Sequence, residues 1–182
     1  MKKSSRFQSP RGFTIAELLI VMTIILILAG LIIGSFQFVE NRKNNNLAEI
    51  QINLLGKAIE EYKLDNGKYP GDENAGGADG TVQSNILFKA LYWDSDEDGQ
   101  VVPNDDDQII YLSELDPEND THKWIEGTGG TATIIDPWGA EYRYRRGTGA
   151  LNPDYDIWSM GPDGESSGDG KNDDDKDDIS NF

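Results

Sequence analysis

Residues 13–39 (FTIAELLIVMTIILILAGLIIGSFQFV) carry a single ionisable side chain, Glu17, and the uncharged run after it lasts 22 residues. At ~1.5 Å per residue, a helix of that length covers the ~30 Å hydrocarbon core of a bilayer. A secretory signal peptide has a shorter apolar region, roughly 7–15 residues. A core helix of a soluble protein has no need of near-total apolarity or of Lys and Arg flanks. The segment therefore reads as one membrane-spanning helix. Lys2, Lys3, Arg6 and Arg11 precede it with no acid among residues 1–12, which predicts a cytoplasmic amino terminus and an exported remainder. Arg42 and Lys43, just past the other end, weigh against that direction without reversing it.

The charge balance sharpens the division. The 182 residues hold 16 basic against 33 acidic side chains, a net charge of -17, and loss of the basic leader leaves 12 against 33, or -21. So acidic a surface repels phosphate backbones, and nucleic acid is excluded as an expected partner. There is no cysteine and one histidine, His122. That excludes a cysteine nucleophile, a disulfide framework, an iron–sulfur cluster, a thiolate zinc site and a two-histidine metal site. Oxygen-rich sites for hard cations stay open.

Glu17 is costly where it stands, about 2.5–3.5 kcal/mol at the centre of a bilayer and less near an interface. It either lies shallow among headgroups or has a function. Beyond the apolar run the helix is expected to continue, because Leu47, Ile50, Leu54, Ala58 and Tyr62 recur at three- and four-residue spacing with Leu55 and Ile59 beside them. Glu49, Gln51, Lys57, Glu60, Glu61 and Lys63 fall largely on the other side. Asn66 or Gly67 can take the left-handed conformation that ends a helix, and Pro70 prevents resumption. The chain thus divides into a leader (1–12), a membrane helix (13–39), an amphipathic helix (40–66) and a loop-rich exported region (67–182). In the last, 84–93 suggests a short helix that Ser84 can cap, and 108–112, 131–135, 141–146 and 155–159 suggest strands. Asp136-Pro137-Trp138-Gly139 joins two of these as a tight turn. The expected fold is α+β: a long amino-terminal helix packed on a small antiparallel sheet.

Two acidic loops carry the remaining chemistry. Residues 163–182 hold eight acids interleaved with glycine. Carboxylates so close repel one another, and a divalent cation with six to eight oxygen ligands relieves that repulsion; the alternative is a solvated acidic tail. In the second loop, Asp94-Ser95-Asp96-Glu97-Asp98-Gly99-Gln100 matches the opening of a calcium loop, with Asp94, Asp96, Asp98 and Gln100 at ligand positions and Asp105 at the twelfth. Aspartate there, in place of glutamate, is less able to bind through both oxygens. An inert solvated turn is the equal alternative. Catalysis finds little support: no pair of carboxylates is fixed across an apolar cleft, His122 sits in a polar loop, and the tryptophans read as core and turn packing. The chain is not expected to be an enzyme.

The string RGFTIAELLIVMTIILILAGLI resembles the amino-terminal signal of type IV pilins and type II secretion pseudopilins. The resemblance implies a prepilin peptidase that cuts between Gly12 and Phe13 and methylates the new amino group of Phe13. It also implies that Glu17 neutralises the amino terminus of a neighbouring subunit when the helices assemble into a homopolymer. Gly34 stands where many members carry a helix-breaking proline. The order KYP, DPWG, YRY, YDIWS, GPDG and an acidic end resembles the major pseudopilins more closely than the type IV pilins, and the lack of cysteine agrees.

That resemblance implies one Ca2+ in the carboxyl-terminal loop, with side-chain ligands Asp163 and Asp178, the carbonyl of Met160, and Asp175 and Asp177 as weaker candidates. It further implies an inner-membrane, single-pass protein with a periplasmic domain, working with minor pseudopilins and an inner-membrane assembly platform in the export of folded proteins. A type IV pilin for adhesion, motility or DNA uptake is the alternative, and a membrane-tethered calcium-binding surface protein is a third. Calcium suits an exported region of just over 110 residues with no disulfide, whose core alone is limited.

Overall fold

Helix α1 runs without interruption over Ile15–Asn66 in the computed structural model, which describes residues 12–71, 84–95, 109–147 and 149–182, and the backbone alone of 31–37. The helix passes through Gly34 unbroken. Two units divide the chain, Met1–Glu40 and Asn41–Phe182. In the first, the described apolar side chains of α1 are exposed: Phe13 is 87% exposed, and Leu18, Ile24 and Leu28 are exposed by half or more. Among the described residues, no helix is long and apolar enough to cross a membrane; seven side chains of the expected span, 31–37, lie outside that description.

In the second unit α1 buries a stripe made of Ala48, Gln51, Ile52, Leu55, Ala58, Ile59 and Tyr62. The stripe is turned relative to the expected one. Ile50 is 55% exposed, while Gln51, expected on the polar side, is buried. Gln51 is tolerated because its Oε1 accepts the hydroxyl proton of Tyr142 at 2.6 Å, which satisfies a polar group that would otherwise be costly to bury. The helix ends as expected. Gly67 adopts φ +69°, and its N–H donates to the Lys63 carbonyl at 2.8 Å, the closing geometry that glycine permits.

Against this stripe pack a short helix α2 (Ser84–Phe88), continued by a π-turn over Lys89–Trp93, and two small sheets. Ser84 does not act as the expected cap; its hydroxyl donates to Glu141 at 3.0 Å. Strands β1 (Ile125–Glu126) and β2 (Thr133–Ile134) form an antiparallel pair. Strands β3 (Arg143–Arg146), β4 (Tyr155–Ser159) and β5 (Ile179–Ser180) form an antiparallel sheet in the order β3-β4-β5. Arg143 faces Trp158, and Ser159 faces Ile179. Every residue of β4 is buried, as a central strand requires. Of the expected strands, 155–159 matches β4, while 131–135 and 141–146 shrink to β2 and β3. Residues 109–112 form no strand: the N–H groups of Tyr111 and Leu112 both reach the single carbonyl of Leu91, so no ladder is built. Apolarity alone did not make a strand without a partner edge.

Candidate functional site

The start of α1 is capped by its own sequence. The Thr14 hydroxyl oxygen accepts the Glu17 N–H at 3.2 Å, and the Thr14 N–H donates to Glu17 Oε2 at 2.8 Å. This is a reciprocal capping box built from Thr14-Ile15-Ala16-Glu17. The Thr14 hydroxyl proton also goes to Glu17 Oε2, at 2.8 Å. The T-x-x-E spacing was present in the sequence and was not read there as a cap. Gly12 and Phe13 precede the first helical turn and are exposed, so the bond between them lies outside regular structure.

At the other end of the chain, β4 leads into a turn over residues 160–164, and the acidic loop returns through a 3-10 turn (Asp173–Asp175) to β5. Asp175 is buried and acts as the hub of this loop. Its Oδ1 accepts the Ser167 N–H at 2.7 Å, and its Oδ2 accepts the Ser167 hydroxyl at 2.6 Å and the Lys171 and Asn172 N–H groups at 3.2 and 3.3 Å. Burial pushes its pKa up, but the hydrogen bonds led by those of Ser167 outweigh burial and hold the carboxyl well below the usual range.

Asp163, Asp177 and Asp178 differ from that hub. Asp163 is exposed, with Oδ1 accepting the Glu165 N–H at 2.9 Å. Asp177 lies against Gly161, where an added Cβ would stand 2.4 Å from the Asp177 carbonyl oxygen and 3.0 Å from its Oδ2. Asp178 Oδ2 accepts the Ser166 hydroxyl at 2.5 Å, whereas its Oδ1 is buried with no donor among the described residues. Burial pushes the Asp178 carboxyl up to about 6; the Ser166 hydrogen bond opposes that, and the charges of Asp175, Asp177 and Asp163 add to it. Met160 is half-buried, with its sulfur accepting from Arg143 Nη2 at 3.2 Å. As the side chains stand, no group of three or more acids among the described residues closes into a metal cage. Even so, Asp163, Asp175, Asp177 and Asp178 share one loop with four further acids, and one buried oxygen has no partner among the described residues.

Sequence reasoning missed what ties this loop to the sheet. Arg145, buried in β3, donates from Nε to Asp156 at 2.6 Å and from Nη2 to the Gly168 carbonyl at 2.6 Å. Its guanidinium also lies 4.9 Å from the Trp158 ring centre. Asp156 in turn accepts the N–H groups of Leu151 and Asn152 at 2.7 and 2.8 Å. Only the alternation of YRYRR with YDIW hinted that a cation and an acid would face each other across two strands.

Of the second acidic loop, Asp94 alone among its candidate ligands is described, and its N–H donates to the Lys89 carbonyl at 2.9 Å. Asp96, Asp98, Gln100 and Asp105 lie outside the described residues. His122 is exposed in a turn.

Comparison with known proteins adds two family matches in the order expected from the residues. A prokaryotic N-terminal methylation motif matches residues 8–33, and a family described as type II secretion system, protein G, matches residues 89–180. Relatives named type II secretion system core protein G include one from Aeromonas hydrophila, 30% identical over 177 residues, covering 94% of this chain and 91% of the relative. One from Pseudomonas aeruginosa is 26% identical, covering 86% and 87%. One from Escherichia coli is 28% identical, covering 85% and 83%. No solved structure matches.

Proposed function

The chain belongs to the type II secretion system protein G family, and from that premise we propose that it is a structural pseudopilin subunit, polymerising through α1 into a periplasmic pseudopilus that drives the export of folded proteins. The observation that carries this reading is the union, in one chain, of a methylation motif over residues 8–33 with a protein G domain over 89–180. A structural subunit needs no catalytic centre. The uncovered apolar side chains of 13–28 suit a helix that first lies in lipid and then packs against copies of itself.

The geometry at the start of α1 supports this processing. Gly12–Phe13 precedes the helix, so a prepilin peptidase meets an unwound bond, and cleavage leaves an amino group four residues before Glu17. In the single chain Glu17 is occupied by Thr14. Assembly exchanges those neutral donors for the charged amino terminus of a neighbour, which supplies the compensation a carboxylate in an apolar setting needs. Anchoring by residues 13–39 in the inner membrane, and contacts with minor pseudopilins and the assembly platform, complete the reading. Co-expression with a prepilin peptidase, followed by mass spectrometry, tests it: the mature chain begins at N-methylated Phe13. A chain that keeps residues 1–12 in the presence of active peptidase contradicts it.

We further propose that the carboxyl-terminal loop holds a calcium ion. The buried Oδ1 of Asp178, without a donor among the described residues, is the observation that favours it, since a bound cation would satisfy that oxygen. Asp163, Asp177, Asp178 and the Met160 carbonyl would hold the ion, and Asp175, its oxygens already taken by loop donors, organises the loop around them. Bound calcium supplies the positive charge that keeps these acids ionised side by side. Whether 94–105 forms a second calcium loop is tested separately by the stoichiometry of binding. Two ions per chain support it, and one ion abolished by Asp163→Ala confines binding to the carboxyl-terminal loop.

A further inference from the structure

The turn at 136–139 and the turn that opens the acidic loop lie 23 residues apart in sequence at their anchoring residues, yet one buried polar relay joins them. Asp136 is 2% exposed. Its Oδ1 accepts the N–H groups of Trp138 and Ala140, both at 2.9 Å, which closes its own turn. Its Oδ2 takes the hydroxyl proton of Ser159, the fully buried last residue of β4. A hydroxyl has one proton to give. With that proton committed to the carboxylate, the Ser159 oxygen presents a lone pair, and it receives the Gly161 N–H at 3.1 Å.

That last bond controls more than a nitrogen. The N–H of Gly161 and the C=O of Met160 belong to the same planar peptide, and in a trans peptide the two point in opposite directions. Holding the N–H on buried Ser159 therefore turns the Met160 carbonyl away from the sheet's interior. Gly161 sits at φ +66°, and any Cβ there would strike the Asp177 carbonyl at 2.4 Å, so glycine is required. Glycine by itself leaves such a peptide free to rotate to the opposite orientation. Some other group has to select one face, and the relay is the group present.

We infer that Asp136 and Ser159 are positioning residues for cation binding: through the Gly161 N–H they fix the orientation of the Met160 carbonyl and so set the affinity of the 160–178 loop for calcium. The inference rests on the reading of that loop as a calcium site. Neither residue touches the ion; each acts through the peptide it orients, as outer partners of metal ligands do.

The test uses the full chain in detergent micelles, with terbium as a luminescent probe sensitised by Trp158 and displaced by calcium. Ser159→Ala removes the acceptor for the Gly161 N–H, and the affinity for calcium is expected to fall about 10- to 100-fold. Asp136→Asn keeps the turn bonds at Oδ1 but disturbs the proton order at Ser159. A loss in the same direction is expected, and this variant carries the test should Ser159→Ala not fold. Tyr144→Phe removes a buried hydroxyl bonded to the Pro70 carbonyl; it should lower the melting temperature without calcium and leave calcium affinity unchanged. Folded Ser159→Ala and Asp136→Asn proteins that bind calcium as the wild type does overturn the inference, as does an equal loss in Tyr144→Phe. A wild-type chain that binds neither terbium nor calcium refutes the calcium reading itself, a different result.

Discussion

Asp175 and Asp178 stand three residues apart, share a loop, and behave oppositely because of what faces them. Asp175 collects donors from Ser167, Lys171 and Asn172; Asp178 collects one hydroxyl and three neighbouring negative charges. The hub is therefore a structural carboxylate. Asp175→Ala is expected to release the amides of Ser167, Lys171 and Asn172 to rapid hydrogen exchange with calcium present, whereas Asp163→Ala should do so only by abolishing the calcium response. Arg145 is the second decisive residue. Its partner Asp156 is fully buried, so Arg145→Ala strands a charge and should cost about 3–5 kcal/mol in urea unfolding of the folded chain. A loss below about 1 kcal/mol, the range of an exposed pair, would show that the pair is not the clamp described.

The elements of the second unit meet through tyrosines. Tyr142 donates to Gln51 of α1, and Tyr144 donates to the Pro70 carbonyl beyond its end. Burial pushes the phenol of Tyr155 up to about 12, with the nearby Glu60 charge adding to it, and likewise that of Tyr92, with Asp116 adding to it; burial raises Tyr142 and Tyr144 as well. Each folded pKa lies above the unfolded value of 10.0. The neutral phenols therefore contribute their full stability below pH 10 and lose it as pH rises through the folded values. A melting temperature that is flat from pH 7 to pH 10 and then falls towards pH 12, together with the rise of tyrosinate absorbance, is the expected profile. Ionisation complete near pH 10 with no loss of structure would contradict this packing. These same elements show how far the sequence could be read. The stop at Asn66–Gly67 and the strand 155–159 were legible because a left-handed glycine and a fully buried run are local properties. The turn of α1 about its axis, which exposes Ile50 and buries Gln51, depends on a tyrosine 91 residues away. The strand β5 and the Arg145–Asp156 pair likewise exist only once distant segments meet.

For the whole molecule, the second unit and the amino-terminal helix answer to different tests. If calcium orders the acidic loop, ten times its dissociation constant adds about 1.4 kcal/mol to the folded state, and chelation should remove that amount. An unfolding curve that does not move on chelation would leave the loop to Asp175 and Arg145 alone. The central claim concerns the helix: Glu17 finds its charged partner only in a neighbouring subunit. The direct measurement is electron microscopy and sedimentation of filaments from membranes containing the full chain, a prepilin peptidase and the secretion assembly machinery, with wild-type protein beside Glu17→Ala. Wild-type chains are expected to form filaments, and Glu17→Ala chains to be cleaved and to stay in the membrane without polymerising. Filaments of Glu17→Ala as abundant as those of the wild type, or no self-association by the processed wild type, would contradict the account.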